Sequence, residues 1–445
     1  MSRLFGKSIS RINNNHNHNM ETLLESIVAR KRSEIQQKFN KYDTDHKGYI
    51  HIEDLCQALA DCGLQINHRI ERIIAQVESN GRIDMTGFTK LMTGKKNLVQ
   101  KALSGELAIP NFAGFCDDLN KIFLETKKQN PGNLANYIPE LGTVDPEYFG
   151  MSLCTVDGQA FSAGDSRIDF TLQSTMLPIV YCLACEQVGY DRVHEFIGKE
   201  PSGSTYNAFV LNSENKPHNP MINTGGIICC SILEPQDNQS NRFGNLFDFV
   251  SSMAGDSKIT FHQRTYLSEK EHGDRNAALA YYMRGAEVKG LDGKRLPEVL
   301  DFYFQACSIA CNTEDLSVIA ATLAKGGICP LTNKRVLQTS TVRNCLSLLY
   351  SCGMYDYSGQ WAFTIGLPAK SGVSGNIMVI IPNVMGLALY SPKVDKRGNS
   401  VRGIEFCKRL ISQFSLSIFD NLVGGVSSKV DPTTDATPAD NVMVE

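Results

Sequence analysis

Gln173 and Ser174 stand at the head of an apolar run, QSTMLPIVYCLACEQVG, residues 173–189. Far downstream, Lys370-Ser371-Gly372 sits just before an apolar strand. A helix N-terminus presents unpaired backbone N–H groups and a partial positive charge. A serine placed there can be stabilised as its alkoxide, and its own N–H can help bind an oxyanion. Taken singly, a serine at a helix start is usually only a cap. Paired with a lysine brought in on a neighbouring strand, it has the parts of a nucleophile site.

The elements that must position these residues follow from the periodicity. From about Pro131 onward, short apolar strands alternate with helices and glycine-rich turns. NIMVII (376–381), the turn residues Pro382 and Asn383, and MGLALY (385–390) predict a two-stranded hairpin. A helix is expected from about Ser400, with Val401, Ile404 and Ile411 on one side. This mixture implies an α+β domain, an antiparallel sheet flanked by helices, over residues 131–425.

Residues 21–130 read as a separate helical module. Ile70, Ile73, Ile74 and Val77 recur at helical spacing. Within the module, DTDHKGYIHIED (43–54) has the outline of an EF-hand calcium loop. Asp43 and Asp45 stand at ligand positions, Gly48 at the turn and Ile50 at the pairing position. Lys47 then falls on a ligand position, and Asp54 replaces the usual bidentate Glu. A cation inside a cation site repels the ion, so an EF-hand-like fold without metal is expected. GRIDM (81–85) reads as the matching strand of a second, ligand-poor hand.

Composition narrows the function classes. A net charge of −3 leaves no basic excess for phosphates, which argues against a nucleic-acid partner. No run of about 18 apolar residues is present, so no membrane helix is expected. The 14 cysteines are scattered, many on apolar stretches, as in a reducing compartment where thiols serve as small hydrophobes. Cys182 and Cys185 have C-x-x-C spacing, but no second pair follows at zinc-site spacing. Neither a metal nor an organic cofactor is expected. Residues 1–20 carry Arg3, Lys7 and Arg11 before the first acid, Glu21, as a mitochondrial transit peptide would. The alternative is a disordered tail with no address on a cytoplasmic protein. Residues 426–445, rich in Pro, Thr and Asp, are expected to be disordered.

Lys370-Ser371-Gly372 also resembles the K-T-G element of serine β-lactamases and penicillin-binding proteins. The wider text is more specific. NYIPEL (136–141), CTVDGQ (154–159), GKEPSG (198–203), KPHNPMIN (216–223), SEKEHGDRN (268–276), LDFYFQACS (300–308), SCGMYDYSGQ (351–360) and GLPAKSGVSG (366–375) occur in order. Over roughly residues 30–425 the chain resembles the β-lactamase-like glutaminases, most closely the animal kidney and liver types. The resemblance implies hydrolysis of L-glutamine to L-glutamate and ammonia through a serine acyl-enzyme. It assigns Ser174 as nucleophile; Tyr355 could relay a proton to or from the serine or the leaving ammonia, and Lys370, whose motif should face the serine across the cleft, is the first candidate for a stand-in base. It assigns substrate contacts to Tyr137, Gln173, Ser174, Asn223, Glu269, Asn276, Tyr303, Tyr355 and the backbone of Val373. These types suit the ligand: Glu269 can pair with the α-ammonium, and Asn223, Asn276 and Tyr303 can donate to the α-carboxylate. The family also implies a homo-oligomer, dimer or tetramer, and phosphate as an activator.

Two departures from the family stand out. Its nucleophile lies in Ser-x-x-Lys, and that lysine is the expected proton acceptor. Here the third residue after Ser174 is Leu177, which has no lone pair. General-base catalysis is worth about 10²- to 10⁴-fold, so weakened turnover is expected. The competing expectation is a catalytically silent relative that binds glutamine or glutamate, or modulates an active paralogue. Secondly, Thr205 and Ala208 stand where animal relatives carry basic residues in a loop beside the site, which implies a weaker phosphate response.

Overall fold

A computed structural model describes residues 23–93, 97–233, 237–420 and 429–434. The expected tail at 1–20 lies outside the described residues, as does most of 426–445; residues 429–434 are described and correct the expected disorder there, because Val430 pairs with the backbone of Gln413 and Ser415 at 3.0 and 2.9 Å. The chain divides into two compact units, one made of residues up to 61 with 66–106, the other of 62–65 and 107 onward.

In the smaller unit a helix over 23–42 precedes β1 (Tyr49–His51), which pairs antiparallel with β2 (Arg82–Asp84). Ile50 and Ile83 face each other across that pair and are fully buried, the pairing expected of GRIDM. Asp43 turns its carboxylate onto the loop's own backbone, accepting from the N–H groups of Lys47 and Gly48 at 3.0 and 2.9 Å. Lys47 Nζ lies 2.6 Å from Asp45 Oδ2. An ammonium therefore neutralises the carboxylate that a calcium ion would take. Asn67 caps the helix His68–Ile74, whose buried residues are Ile70 and Ile74. That helix stops before Val77, a turn earlier than the isoleucine spacing suggests.

The larger unit is built on a five-stranded antiparallel sheet. Its strands are β3 (Gly150–Thr155), β4 (Ala160–Gly164), β5 (Ala369–Gly372), β6 (Asn376–Ile381) and β7 (Met385–Tyr390). The order is β4-β3-β7-β6-β5. The hairpin β6–β7 runs in register from Asn376↔Tyr390 to Ile381↔Met385, as its sequence predicts. Its connection is three residues long, with Asn383 at φ 64°, a left-handed position that asparagine tolerates.

Both faces of the sheet are covered, so every position of β3, β6 and β7 is buried. One face, including Met151, Leu153, Ile377, Val379 and Leu387, packs with α1 (Phe112–Lys127) and the helix Val401–Gln413. Phe112, Phe115, Leu119 and Phe123 belong to this cluster. The contact boundary between the units therefore falls before α1, ahead of residue 130 where composition changes. Ser400 caps the helix Val401–Gln413 by accepting from Gly403 N, so the expected helix start holds. The other face, including Met378, Ile380 and Ala388, packs into a large helical layer. That layer contains α2 (Met176–Val188), α3 (Asn223–Ile232), α4 (Leu296–Cys307), α5 (Thr313–Ala324) and α6 (Thr339–Cys352). Cys182 and Cys185 are buried in it as free thiols.

Candidate active site

Ser174 lies in a single 3-10 turn, Gln173–Thr175, that feeds directly into α2. The turn is strained: Gln173 holds φ 50°, a left-handed conformation uncommon for a non-glycine residue. What holds it there comes from β6 and the loop before it. Asn376 Oδ1 accepts from the Thr175 hydroxyl at 2.5 Å, and Asn376 Nδ2 donates to Leu172 O at 3.3 Å. Ser374 donates to Thr171 O at 2.8 Å. Gly372 makes the close approach feasible. A Cβ there would sit 2.7 Å from Leu172 O and 2.9 Å from Thr175 Oγ1.

Around Ser174 a cavity of about 260 Å³ opens to solvent. Its lining includes Tyr137, Gln173, Ser174, Asn223, Glu269, Asn276, Tyr303, Tyr355 and Val373. All nine positions assigned to substrate from the sequence thus border one space, although they come from widely separated segments. Tyr206, Asn207, His272, Arg275 and Cys307 complete the lining and were not singled out from the sequence. Each lies inside a motif already quoted or a few residues from it, so position in those motifs was the available signal.

The lining residues differ in chemistry. Glu269 is 5% exposed. Burial raises its carboxyl above the usual carboxylate range, opposed by hydrogen bonds from Tyr137 and Gln173. Tyr137 donates to Glu269 Oε1 at 2.5 Å and lies 3.3 Å from Gln173 Oε1. The ring of Tyr137 is open to solvent on one side while its hydroxyl points inward. Burial, then the Glu269 charge, holds that phenol well above its ordinary pKa. A buried carboxylate bonded to neutral donors is a receptor for an ammonium. Nearby, Asn223 Nδ2 donates to Asn276 Oδ1 at 2.9 Å, leaving amide donors to spare. Arg275 is committed to the loop: it donates to Asn207 O at 3.1 and 2.8 Å and lies over the Phe209 ring.

Tyr355, also on the lining, is held at φ 54° in the 3-10 turn Tyr355–Tyr357 that follows α6. Its hydroxyl is buried without a well-formed hydrogen bond. It is nonetheless near enough to Ser174 and to the Val373 N–H that both work against burial, which raises its pKa. Lys370, on β5, does not line the cavity. It is 0% exposed, donates to Ser371 O at 2.9 Å, and places Nζ 4.5 Å from the centre of the Tyr355 ring. Burial brings its pKa from 10.5 down to about 7, with the thiols of Cys307 and Cys352 pulling the other way. Its neutral, proton-accepting form is therefore populated near pH 7.

Leu177 is 2% exposed and lies within the apolar cluster of the helical layer. Its Cδ2 is 2.4 Å from where a Cβ on Gly226 would lie, with the Tyr303 ring edge at 3.1 Å from the same point. The side chain one turn after the serine thus packs beside two elements that line the cavity. It brings them hydrocarbon.

A family model for glutaminase matches residues 132–419, and one for an EF-hand domain matches residues 34–63. The mouse "Glutaminase liver isoform, mitochondrial" is 42% identical over 405 residues, 89% of this chain and 67% of the mouse protein. "Putative glutaminase 3" of Caenorhabditis elegans is 39% identical, over 88% of this chain and 70% of its own length. Among solved structures, the "Probable glutaminase ybaS" superposes with a TM-score of 0.66 at 33% identity, covering 69% of this chain and 98% of its own. Mglu "in its tris and glutamate form" gives 0.65 at 34% identity, over 70% of this chain and 69% of its own. Family model, sequence and architecture agree over the larger unit, and the chain belongs to the glutaminase family of amidohydrolases.

Proposed function

We propose that this chain binds L-glutamine in the cavity around Ser174 and hydrolyses it to L-glutamate and ammonia through a Ser174 acyl-enzyme, at a rate depressed by Leu177. The observation that carries the reading is the buried Glu269 carboxylate, bonded to neutral donors, on the lining of the same glutamine-sized cavity as Ser174 and Tyr355. Glu269 takes the α-ammonium, Asn223, Asn276 and Tyr303 take the α-carboxylate, and Tyr137 and Gln173 fix the carboxylate of Glu269. The side-chain amide then reaches Ser174, with the N–H groups of Ser174 and Val373 as oxyanion donors. Tyr355, kept as a neutral phenol, gives its proton to the departing ammonia and regains one from the Ser174 hydroxyl as the amide C–N bond breaks. Lys370, close to neutrality at pH 7, serves as the remaining amine of the site.

Leucine at 177 removes the family's own base from this scheme. The expected loss is at least about 3 kcal/mol of transition-state stabilisation, from a general-base factor of about 10²–10⁴. The fold need not suffer, because a hydrocarbon replaces a buried amine. The same leucine supports a second reading, a silent binder of glutamine or glutamate that modulates an active paralogue. We further propose a homo-oligomer, a phosphate response weakened by Thr205 and Ala208, and a mitochondrial location. The acid-poor N-terminus supports that location, as do the names of the mouse and rat relatives.

The test is ammonia release from glutamine by purified wild type and Leu177→Lys. The substitution is expected to raise turnover by about 10²-fold or more. A folded Leu177→Lys with no gain counts against the lost-base account. Calorimetric binding of glutamine without turnover in either protein would favour the silent binder.

A further inference from the structure

Tyr355 holds a left-handed backbone conformation, and its own segment supplies part of what keeps it there. Ser358 donates to Tyr355 O at 2.8 Å and accepts from Met354 N at 3.0 Å. Tyr357 N donates to Met354 O at 3.1 Å. These bonds are all local. They close the turn without tying it to the rest of the fold. A phenol that must meet both Ser174 and a departing nitrogen needs anchors from outside the turn.

One anchor is β5, whose Ser371 N donates to Gly353 O at 3.2 Å. A second is the tight turn Asp395–Asn399. Asp395 N donates to Asn399 O at 2.9 Å, and Asp395 Oδ1 accepts from Arg397 N and Asn399 N at 2.8 and 3.1 Å. Gly398 lies in this turn at φ 92°, a conformation glycine adopts readily and other residues do not. Its backbone lies against the Tyr355 ring: a Cβ on Gly398 would be 3.5 and 3.7 Å from ring atoms Cε2 and Cδ2. Asn399 Nδ2 donates to Met354 O, the carbonyl just ahead of Tyr355, at 3.4 Å. Gly398, Lys370 Nζ at 4.5 Å from the ring centre and the Tyr206 ring at 4.7 Å thus all border the Tyr355 ring.

Stability does not account for the amide of Asn399. The residue is 0% exposed. Its donor bond is long and goes to a carbonyl that Tyr357 N already serves. Its Oδ1 is buried without a hydrogen-bond partner. A buried acceptor left unpaired costs the fold free energy, so a hydrocarbon of similar size would serve packing better. We infer that Asn399 is a positioning residue for the reaction: with Gly398 it fixes the Tyr355 turn so that the phenol is aligned with Ser174. This rests on the acyl-enzyme reading above, in which Tyr355 passes the proton from the serine to the departing ammonia.

The test is a double-mutant cycle on ammonia release from glutamine, with wild type, Asn399→Leu, Tyr355→Phe and the double variant. Asn399→Leu alone is expected to lower kcat by about 10- to 10²-fold, the cost of misplacing a reacting group by up to about 1 Å. KM is expected to stay at the wild-type value, because Glu269, Asn223 and Asn276 stand on other helices. Thermal unfolding of Asn399→Leu is expected no lower than that of wild type, since the leucine leaves no acceptor unpaired. In the Tyr355→Phe background no hydroxyl remains to be aligned, and Asn399→Leu is expected to change kcat no further. Gly398→Ala, strained by its φ, is expected to show the same coupling and replaces Asn399→Leu if that variant does not fold. Equal falls in kcat in both backgrounds, or no fall in either, would overturn the positioning role while leaving Tyr355 in the chemistry. A Tyr355→Phe protein as fast as wild type would overturn the role of that phenol, and this inference with it. Wild-type ammonia release no faster than that of Ser174→Ala would overturn the acyl-enzyme reading itself, and the inference would fall with it.

Discussion

Replacing Lys370 by methionine should make the protein more stable and less active, and the structure gives the size of both effects. The amine is wholly buried, with one hydrogen bond, to Ser371 O, and the flank of Tyr355 for company. Its pKa is brought from 10.5 to about 7. At 1.36 kcal/mol per unit, that difference is a burial penalty on the order of 5 kcal/mol for the charged form. Methionine keeps the unbranched stem and its packing. It forfeits a hydrogen bond worth about 1 kcal/mol and the ring contact, worth about 0.5–2 kcal/mol. A net gain of about 1–4 kcal/mol near pH 6 is therefore expected. The sign with pH follows from proton binding. Between about 7 and 10.5 the unfolded lysine holds its proton and the folded one does not, so wild-type stability rises with pH across that window. The gain from Lys370→Met should be fully present below pH 7 and shrink toward pH 10. Denaturant unfolding of both proteins at pH 6 and pH 9.5, with ammonia release measured in parallel, checks this. Turnover should fall by about 10²-fold if the amine carries protons. Equal destabilisation of the variant at both pH values would refute the desolvated-amine reasoning, and unchanged turnover would remove Lys370 from the chemistry.

Glu269→Ala should weaken glutamine binding by about 2–5 kcal/mol, as expected when one partner of a buried charge pair is removed; calorimetry on the folded variant reads it. Because burial raises the Glu269 carboxyl, glutamine affinity should begin to fall at a higher pH than an exposed glutamate would dictate, and a titration of Kd against pH tests the direction. Gly226→Ala should cost about 1–3 kcal/mol through the overlap with Leu177, and Leu177→Ala in the same chain should recover part of it, measurable as coupling in a double-mutant cycle. Calcium should not raise the melting temperature of the wild type, because Lys47 already sits on Asp45; Lys47→Asp should acquire a calcium-dependent shift at about 10⁻⁴–10⁻³ M.

The sequence made the parts of this site visible unevenly. The hairpin β6–β7 and the helix after Ser400 follow from local alternation, turn chemistry and capping, and all of these are contiguous in the chain. Ser174 at a helix start was equally local. The strain at Gln173 was not, because it is imposed by Asn376 and Ser374 across the fold. Lys370 was recognisable from its three-residue motif, but its burial and its place over the Tyr355 ring depend on α6 and β5 meeting. Spacing alone could not have gathered Tyr137, Asn223, Glu269 and Tyr303 into one cavity; the family resemblance named them together. Tyr206 escaped notice because its contact with Tyr355 is made by a loop whose sequence has no periodicity to read. The allegiance of α1 was hidden for a related reason: its helical pattern says which residues are buried, and not which core receives them.

The central claim is that Ser174 remains a nucleophile in a pocket that has lost the family's base. Steady-state ammonia release from glutamine, wild type against Ser174→Ala, addresses it most directly. A slow wild-type rate that disappears in Ser174→Ala is the expected result. Equal rates in the two proteins, with glutamine still bound by both, would contradict it.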